Sequence, residues 1–187
     1  RPFGSTGFTM SSRFWQQPLP TPSDTHLQRA LARQSRLTKP PGSLGRLESL
    51  ACSLCAQQHR DQPAVDRVHI AVFAGDHGVT AESVSAYPAD VTAAMVHNML
   101  AGGAAINAFA RHANADLRVV DVGVKSDLRN ARGLLDRKAG YGTRNLLHEP
   151  AMTDEQTRRA LEAGVDMAEQ AADDGAALLA GGEMGDR

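Results

Sequence analysis

Three short apolar runs, each closed by glycine beside an acid, constrain this chain more than any other feature. They cover residues 68–74 (VHIAVFA), 117–122 (LRVVDV) and 176–180 (AALLA). The first is apolar at nearly every position instead of alternating, which fits a strand buried on both faces, as in a parallel sheet. Between the first and second runs, Pro88 suits a first helical turn, and Val91, Met95 and Met99 recur at i, i+4 and i+8. Gly102-Gly103 interrupts, and a helical pattern resumes over residues 104–111. Between the second and third runs, Thr153 and Gln156 form a capping box, with Leu161, Val165, Ala168 and Ala172 on one face and Gly175 as a stop. Strand, helix, strand, helix, strand predicts an α/β fold: a doubly wound parallel sheet with flanking helices.

A small N-terminal helical subdomain precedes it. Ser23 is placed to cap a helix carrying Leu27, Ala30, Leu31 and Leu37, which Lys39-Pro40-Pro41-Gly42 breaks. Ser43 then caps a second helix whose stripe is Leu44, Leu47, Ala51, Leu54 and Cys55. The expected organisation is a flexible or tag-derived tail over residues 1–22, a helical hairpin over 23–62 and an α/β nucleotide-binding domain over 63–187. Met10 reads as a natural start. Only a few residues follow the third run where a covering helix is expected, so the α/β domain reads as truncated. Residues 125–150 are polar and aperiodic, which suggests a long functional loop.

Several function classes fall away on composition. A net charge of −1 over 187 residues gives no basic field, so nucleic acid is not an expected partner. No apolar run approaches the ~18–20 residues a membrane helix needs, and residues 1–17 lack a signal-peptide core. A cytoplasmic protein without a membrane partner is the expectation. Cys52 and Cys55 stand alone as a C-x-x-C pair inside a helical pattern, so they read as small buried residues and not as a zinc or redox site.

In open parallel sheets the ligand crevice lies beyond the carboxyl ends of the strands. All three runs end there in polar, glycine-bearing turns: Gly75-Asp76-His77-Gly78, Asp121-Val122-Gly123 and Gly182-Glu183-Met184-Gly185. Glycine admits a ligand close to backbone N–H groups, and neighbouring acids bind sugar hydroxyls. Asp76 and His77 invite metal or acid–base readings, but no further ligand stands at metal spacing, so a lining role is the expectation. His97 and His112 read as solvated. Residues 140–145 (GYGTRN) offer donors to a phosphate or carboxylate. The residues alone describe an α/β protein that binds a small phosphorylated or nucleotide-like ligand. An N-glycosidic hydrolase using Asp76 to activate water is an alternative, weakened by the lack of a second carboxylate at predictable spacing.

Six segments in order add a resemblance. They are residues 37–48 (LTKPPGSLGRLE), 74–79 (AGDHGV), 102–107 (GGAAIN), 119–123 (VVDVG), 142–145 with 149–152 (GTRN, EPAM) and 182–185 (GEMG). Together they resemble the amino-terminal half of the nicotinate-nucleotide–dimethylbenzimidazole phosphoribosyltransferase family. The resemblance implies transfer of ribose 5-phosphate from nicotinate mononucleotide to 5,6-dimethylbenzimidazole, giving α-ribazole 5-phosphate and nicotinate in cobalamin biosynthesis. It implies no metal and no bound cofactor, and a homodimer. Carried onto this chain, the substrate-binding residues are Gly75, Asp76, His77, Ser83, Ser85, Tyr87, Glu183 and Gly185, with Ser85 foremost for the aromatic base. The family's general-base glutamate lies far downstream, so no catalytic residue is assigned here and the fragment alone is expected to be inactive. A truncated, non-catalytic relative that binds a benzimidazole or nucleotide is the competing reading.

Overall fold

The computed structural model describes residues 18–88 and 90–185. The expectations for residues 1–17, Met10 among them, lie outside that range. The chain divides into two compact units between Ala64 and Val65. No helix among the described residues is long and apolar enough to cross a membrane.

The first unit is helical, with α1 over Asp24–Gln34 and α2 over Arg46–Gln58. Ser23 caps α1, its side chain accepting from the His26 N–H at 3.3 Å. Ala30, Cys52 and Cys55 pack together with Leu27, and both cysteines are free and buried. Burial pushes the Cys55 thiol up, which keeps it protonated and inert. The start of α2 differs from expectation. Ser43 is not its cap. Residues 40–45 form successive turns, Ser43 N–H to Pro40 O and Gly45 N–H to Gly42 O, and α2 begins beyond them. Glu48 organises this segment, accepting from the Leu44 N–H at 3.2 Å and from Lys39 Nζ at 2.7 Å. The expected stripe holds at Cys55, which is buried, but not at Leu44 and Leu47, which are exposed; Cys52 and Ala56 complete the buried face.

The second unit is built on a parallel sheet of order β3-β2-β1-β4. Its strands are β1 (Val68–Gly75), β2 (Asp116–Gly123), β3 (Leu134–Asp136) and β4 (Leu178–Met184). Helices α3 (Asp90–Leu100) and α4 (Ala105–His112) connect β1 to β2, and α5 (Asp154–Asp173) leads into β4. Val72, Ala74 and Val119 pack with Val96 and Met99 of α3 on one face. Ala71 and Val120 meet Met167 of α5 on the other. Adjacent residues of β1 and β2 are thus buried on opposite faces, as the unbroken apolar runs require. Each buried Val or Met among these contributes roughly 1.5–3 kcal/mol, and each alanine methyl less, about 0.8 kcal/mol.

The capping box of α5 is present, with Thr153 Oγ1 accepting from the Gln156 N–H at 3.2 Å and Gln156 Oε1 from the Thr153 N–H at 2.9 Å. At its far end Arg118 of β2 reaches Gln170 at 3.0 Å and Asp174 at 2.5 Å, tying the helix to the sheet. Two expectations are corrected here. Residues 125–150 are not one loop, because β3 pairs with β2 inside them. Gly181 and Gly182 do not close the third strand; they lie within β4, paired with Ala71 and Val72. Ladder hydrogen bonds to a central neighbour outweigh the weak strand preference of glycine.

Candidate functional site

The sheet order decides where a ligand fits. Strands β1, β2 and β3 step outward in one direction, and β4 returns to the opposite side of β1. Crevices in such sheets open at the carboxyl ends where the order reverses, here between the tips of β1 and β4. Gly185, just past β4, lies so close to β1 that a methyl group built on it would overlap the Gly75 carbonyl oxygen.

Asp76 stitches the tips together. Its N–H donates to Gly123 O at 3.0 Å, its carbonyl accepts from Thr143 N–H at 3.0 Å, and Oδ2 accepts from Lys125 N–H at 2.7 Å. Its Oδ1 is buried and has no hydrogen-bond partner among the described residues. Asp121, buried at the tip of β2, accepts at Oδ1 from the N–H groups of Gly123 (3.0 Å) and Val124 (2.9 Å). Its Oδ2 lies 2.8 Å from Lys138 Nζ, whose side chain is 9% exposed. A buried pair with both partners hydrogen-bonded holds geometry more than it adds stability.

Within this frame is a cavity of about 220 Å³. Its apolar wall is Phe73, Val122, Ala139, Met152, Ala160 and Met184; Asp76, His77, Thr143, Gln156 and Glu183 supply polar groups. A second cavity of about 290 Å³ shares Asp76, His77, Gly142 and Thr143 with the first and adds Gly78, Thr80, Lys125 and Tyr141. An apolar slot beside a few polar groups suits a flat ring with a polar substituent. A wider depression of about 650 Å³ lies beside α5. Its charges cancel, Arg137 pairing with Asp166 at 3.0 Å, so it lacks the field an anion needs.

The turns of β1, β2 and β4 therefore meet in one place, which brings Gly75, Asp76, His77 and Glu183 together, with Gly185 against Gly75. Ser83, Ser85 and Tyr87 line neither strand-tip cavity. Ser83 ends a 3-10 turn (Gly78–Glu82) in the left-handed region, Ser85 Oγ accepts from the Tyr87 N–H at 3.3 Å, and Tyr87 is exposed. Sequence reasoning missed Lys138, Met152 and Gln156 as components of this region. Gln156 carried a visible signal as the capping partner of Thr153; Lys138 carried none.

Fold and site thus define a parallel α/β protein with a small crevice at a reversal of strand order. The sequence pattern of the phosphoribosyltransferase family matches residues 19–186, and the chain belongs to that family. It is 49% identical over 176 residues to nicotinate-nucleotide–dimethylbenzimidazole phosphoribosyltransferase of Pseudomonas fluorescens, covering 94% of this chain and 50% of that protein. The enzyme of the same name from Pseudomonas savastanoi is 48% identical with the same coverage. Among solved structures, the Thermus thermophilus enzyme of that name superposes with a TM-score of 0.83 at 49% identity, over 88% of this chain and 50% of that one. The chain spans about half the length of the curated relatives it matches.

Proposed function

We propose that this chain forms the amino-terminal part of an enzyme that moves ribose 5-phosphate from nicotinate mononucleotide to 5,6-dimethylbenzimidazole. The observation that carries the reading is the single crevice built by the tips of β1, β2 and β4 in a chain 49% identical to an enzyme of that name. In the reaction a benzimidazole nitrogen attacks the anomeric carbon as the bond to the pyridinium nitrogen breaks. Nicotinate leaves with the electron pair, and the azole proton passes to a carboxylate. The demand on the protein is alignment of two flat rings and a ribose, together with electrostatic support for an oxocarbenium-like centre.

Gly75, Asp76, His77, Glu183 and Gly185 would hold the substrates at the crevice, with Ser83, Ser85 and Tyr87 on the neighbouring loop toward the aromatic base. By the same resemblance the proton-accepting glutamate belongs to the other half of the protein. A cytoplasmic homodimer, organised as a helical subdomain over residues 23–62 and a nucleotide-binding domain from residue 63, completes the reading. The test is incubation of the full-length protein with nicotinate mononucleotide and dimethylbenzimidazole. Chromatography should detect free nicotinate and α-ribazole 5-phosphate in equal amounts. Absence of both across a panel of benzimidazole and purine acceptors rejects the reading.

A further inference from the structure

Tyr141 borders the cavity of about 290 Å³ and the wide depression beside α5, yet it is 57% exposed. Its backbone is held on both sides. Ala139 N–H donates to Val122 O, Gly142 N–H to Gly123 O and Thr143 N–H to Asp76 O, each at 3.0 Å. The ring is gripped as well, with Lys138 Nζ lying 4.6 Å from its centroid. That ammonium donates to the carbonyls of Val124 and Ser126 and pairs with Asp121, which is 1% exposed. Its three protons are thus taken by oxygens, and the ring contact is charge against a π face.

Lys138 borders the wide depression but not the smaller cavity, whereas Tyr141 borders both. Of this cation–ring pair, the tyrosine is thus the member that adjoins the cavity holding Asp76, His77 and Lys125, while the ammonium stays on the side of the depression. We infer that Tyr141 is a specificity-determining contact whose free face stacks against a flat, neutral heteroaromatic ring. The ammonium draws π density toward itself, so the opposite face is less negative than an ordinary phenol face. Such a face favours a neutral, electron-rich bicycle of the benzimidazole kind over a cationic pyridinium. The inference deepens the phosphoribosyl-transfer reading and rests on it for the choice of ring.

The experiment is calorimetry on the full-length protein, titrating dimethylbenzimidazole and nicotinate mononucleotide separately, with nicotinate release measured in parallel. Tyr141→Leu should weaken the benzimidazole by roughly 5- to 100-fold, the loss of one base–aromatic stack, and shift nicotinate mononucleotide less than about twofold. Tyr141→Phe should stay within about twofold for both ligands, and Tyr141→Trp, with a larger face, should bind the benzimidazole at least as tightly as wild type. Benzimidazole affinity unchanged in Tyr141→Leu, a loss of about tenfold in Tyr141→Trp, or no benzimidazole binding by wild type overturns the inference. Tyrosine-dependent binding without nicotinate release supports this contact while refuting the transfer reading. Release unaffected by Tyr141→Leu does the reverse.

Discussion

Replacing Gly78 with alanine sets two effects of opposite sign against each other. In a turn that alanine can adopt, the substitution gains about 0.4–1 kcal/mol by restricting the unfolded chain. At Gly78, however, a Cβ would lie 2.5 Å from the carbonyl carbon of Arg144, 2.6 Å from Thr143 O and 2.7 Å from Asn145 N. All three are backbone atoms. Restoring ordinary contact means moving one segment by about 0.7–0.9 Å, an overpacking that costs about 1–3 kcal/mol. The segments are also pinned together: Gly78 N–H donates to Thr143 Oγ1 at 3.1 Å, and Glu82 accepts from Asn145 at 2.6 Å and meets His148 at 3.2 Å. Steric overlap wins, with a net loss of about 1–2 kcal/mol. Because Gly78 and Thr143 border a strand-tip cavity, a shift near 1 Å should also lower kcat/KM for nicotinate release by up to roughly 100-fold. Gly164, inside α5 with open space around it, is the control; alanine there should stabilise by about 0.5–1 kcal/mol. Urea unfolding of both variants reads the difference. Gly78→Ala at or above wild-type stability, moving with Gly164→Ala, would refute the reasoning.

Further expectations follow from the ion pairs and caps. Lys39 beside Glu48 holds its carboxyl below the ordinary 4.5, so the contribution of Glu48 is full above that pH and fades as pH falls through the lowered value. Amide exchange over residues 43–48 should therefore be slower in wild type than in Glu48→Gln at pH 7, and the two should converge in acid. Lys138→Met leaves Asp121 buried without its partner and should cost about 3–5 kcal/mol in urea unfolding; adding Asp121→Asn should recover most of it. Thr153→Ala removes the oxygen that caps α5 and should cost about 1 kcal/mol, measured by the same unfolding.

Periodicity and punctuation made much of this architecture readable. Residues 68–74 announced β1 because both faces of that strand carry buried residues, and Thr153 with Gln156 announced α5 because the capping geometry is local. Features decided by tertiary pairing were less readable. The three residues of β3 are too few to show a period, and only the neighbouring β2 makes them a strand. Gly181 and Gly182 looked like a stop because glycine punctuates most chains, yet β1 supplies the register that carries β4 to Met184. The same division holds at the site. The turns at the strand tips were visible as glycine beside acid, whereas Lys138 becomes relevant only once folding brings it to Asp121, across a gap that sequence spacing does not encode.

The place of β4 beside β1 also bears on when the crevice comes into being during synthesis. Val68 pairs with Leu178, roughly 110 residues later. A growing polypeptide that has emerged only through α5 holds the tips of β1 and β2 but lacks the wall that Glu183 and Met184 provide. Contacts this distant in the chain form slowly, since loop-closure entropy must be overcome first. Affinity for ligand should therefore not arise before β4 joins the sheet, and nascent chains stalled before residue 178 should be folded in part yet unable to retain ligand.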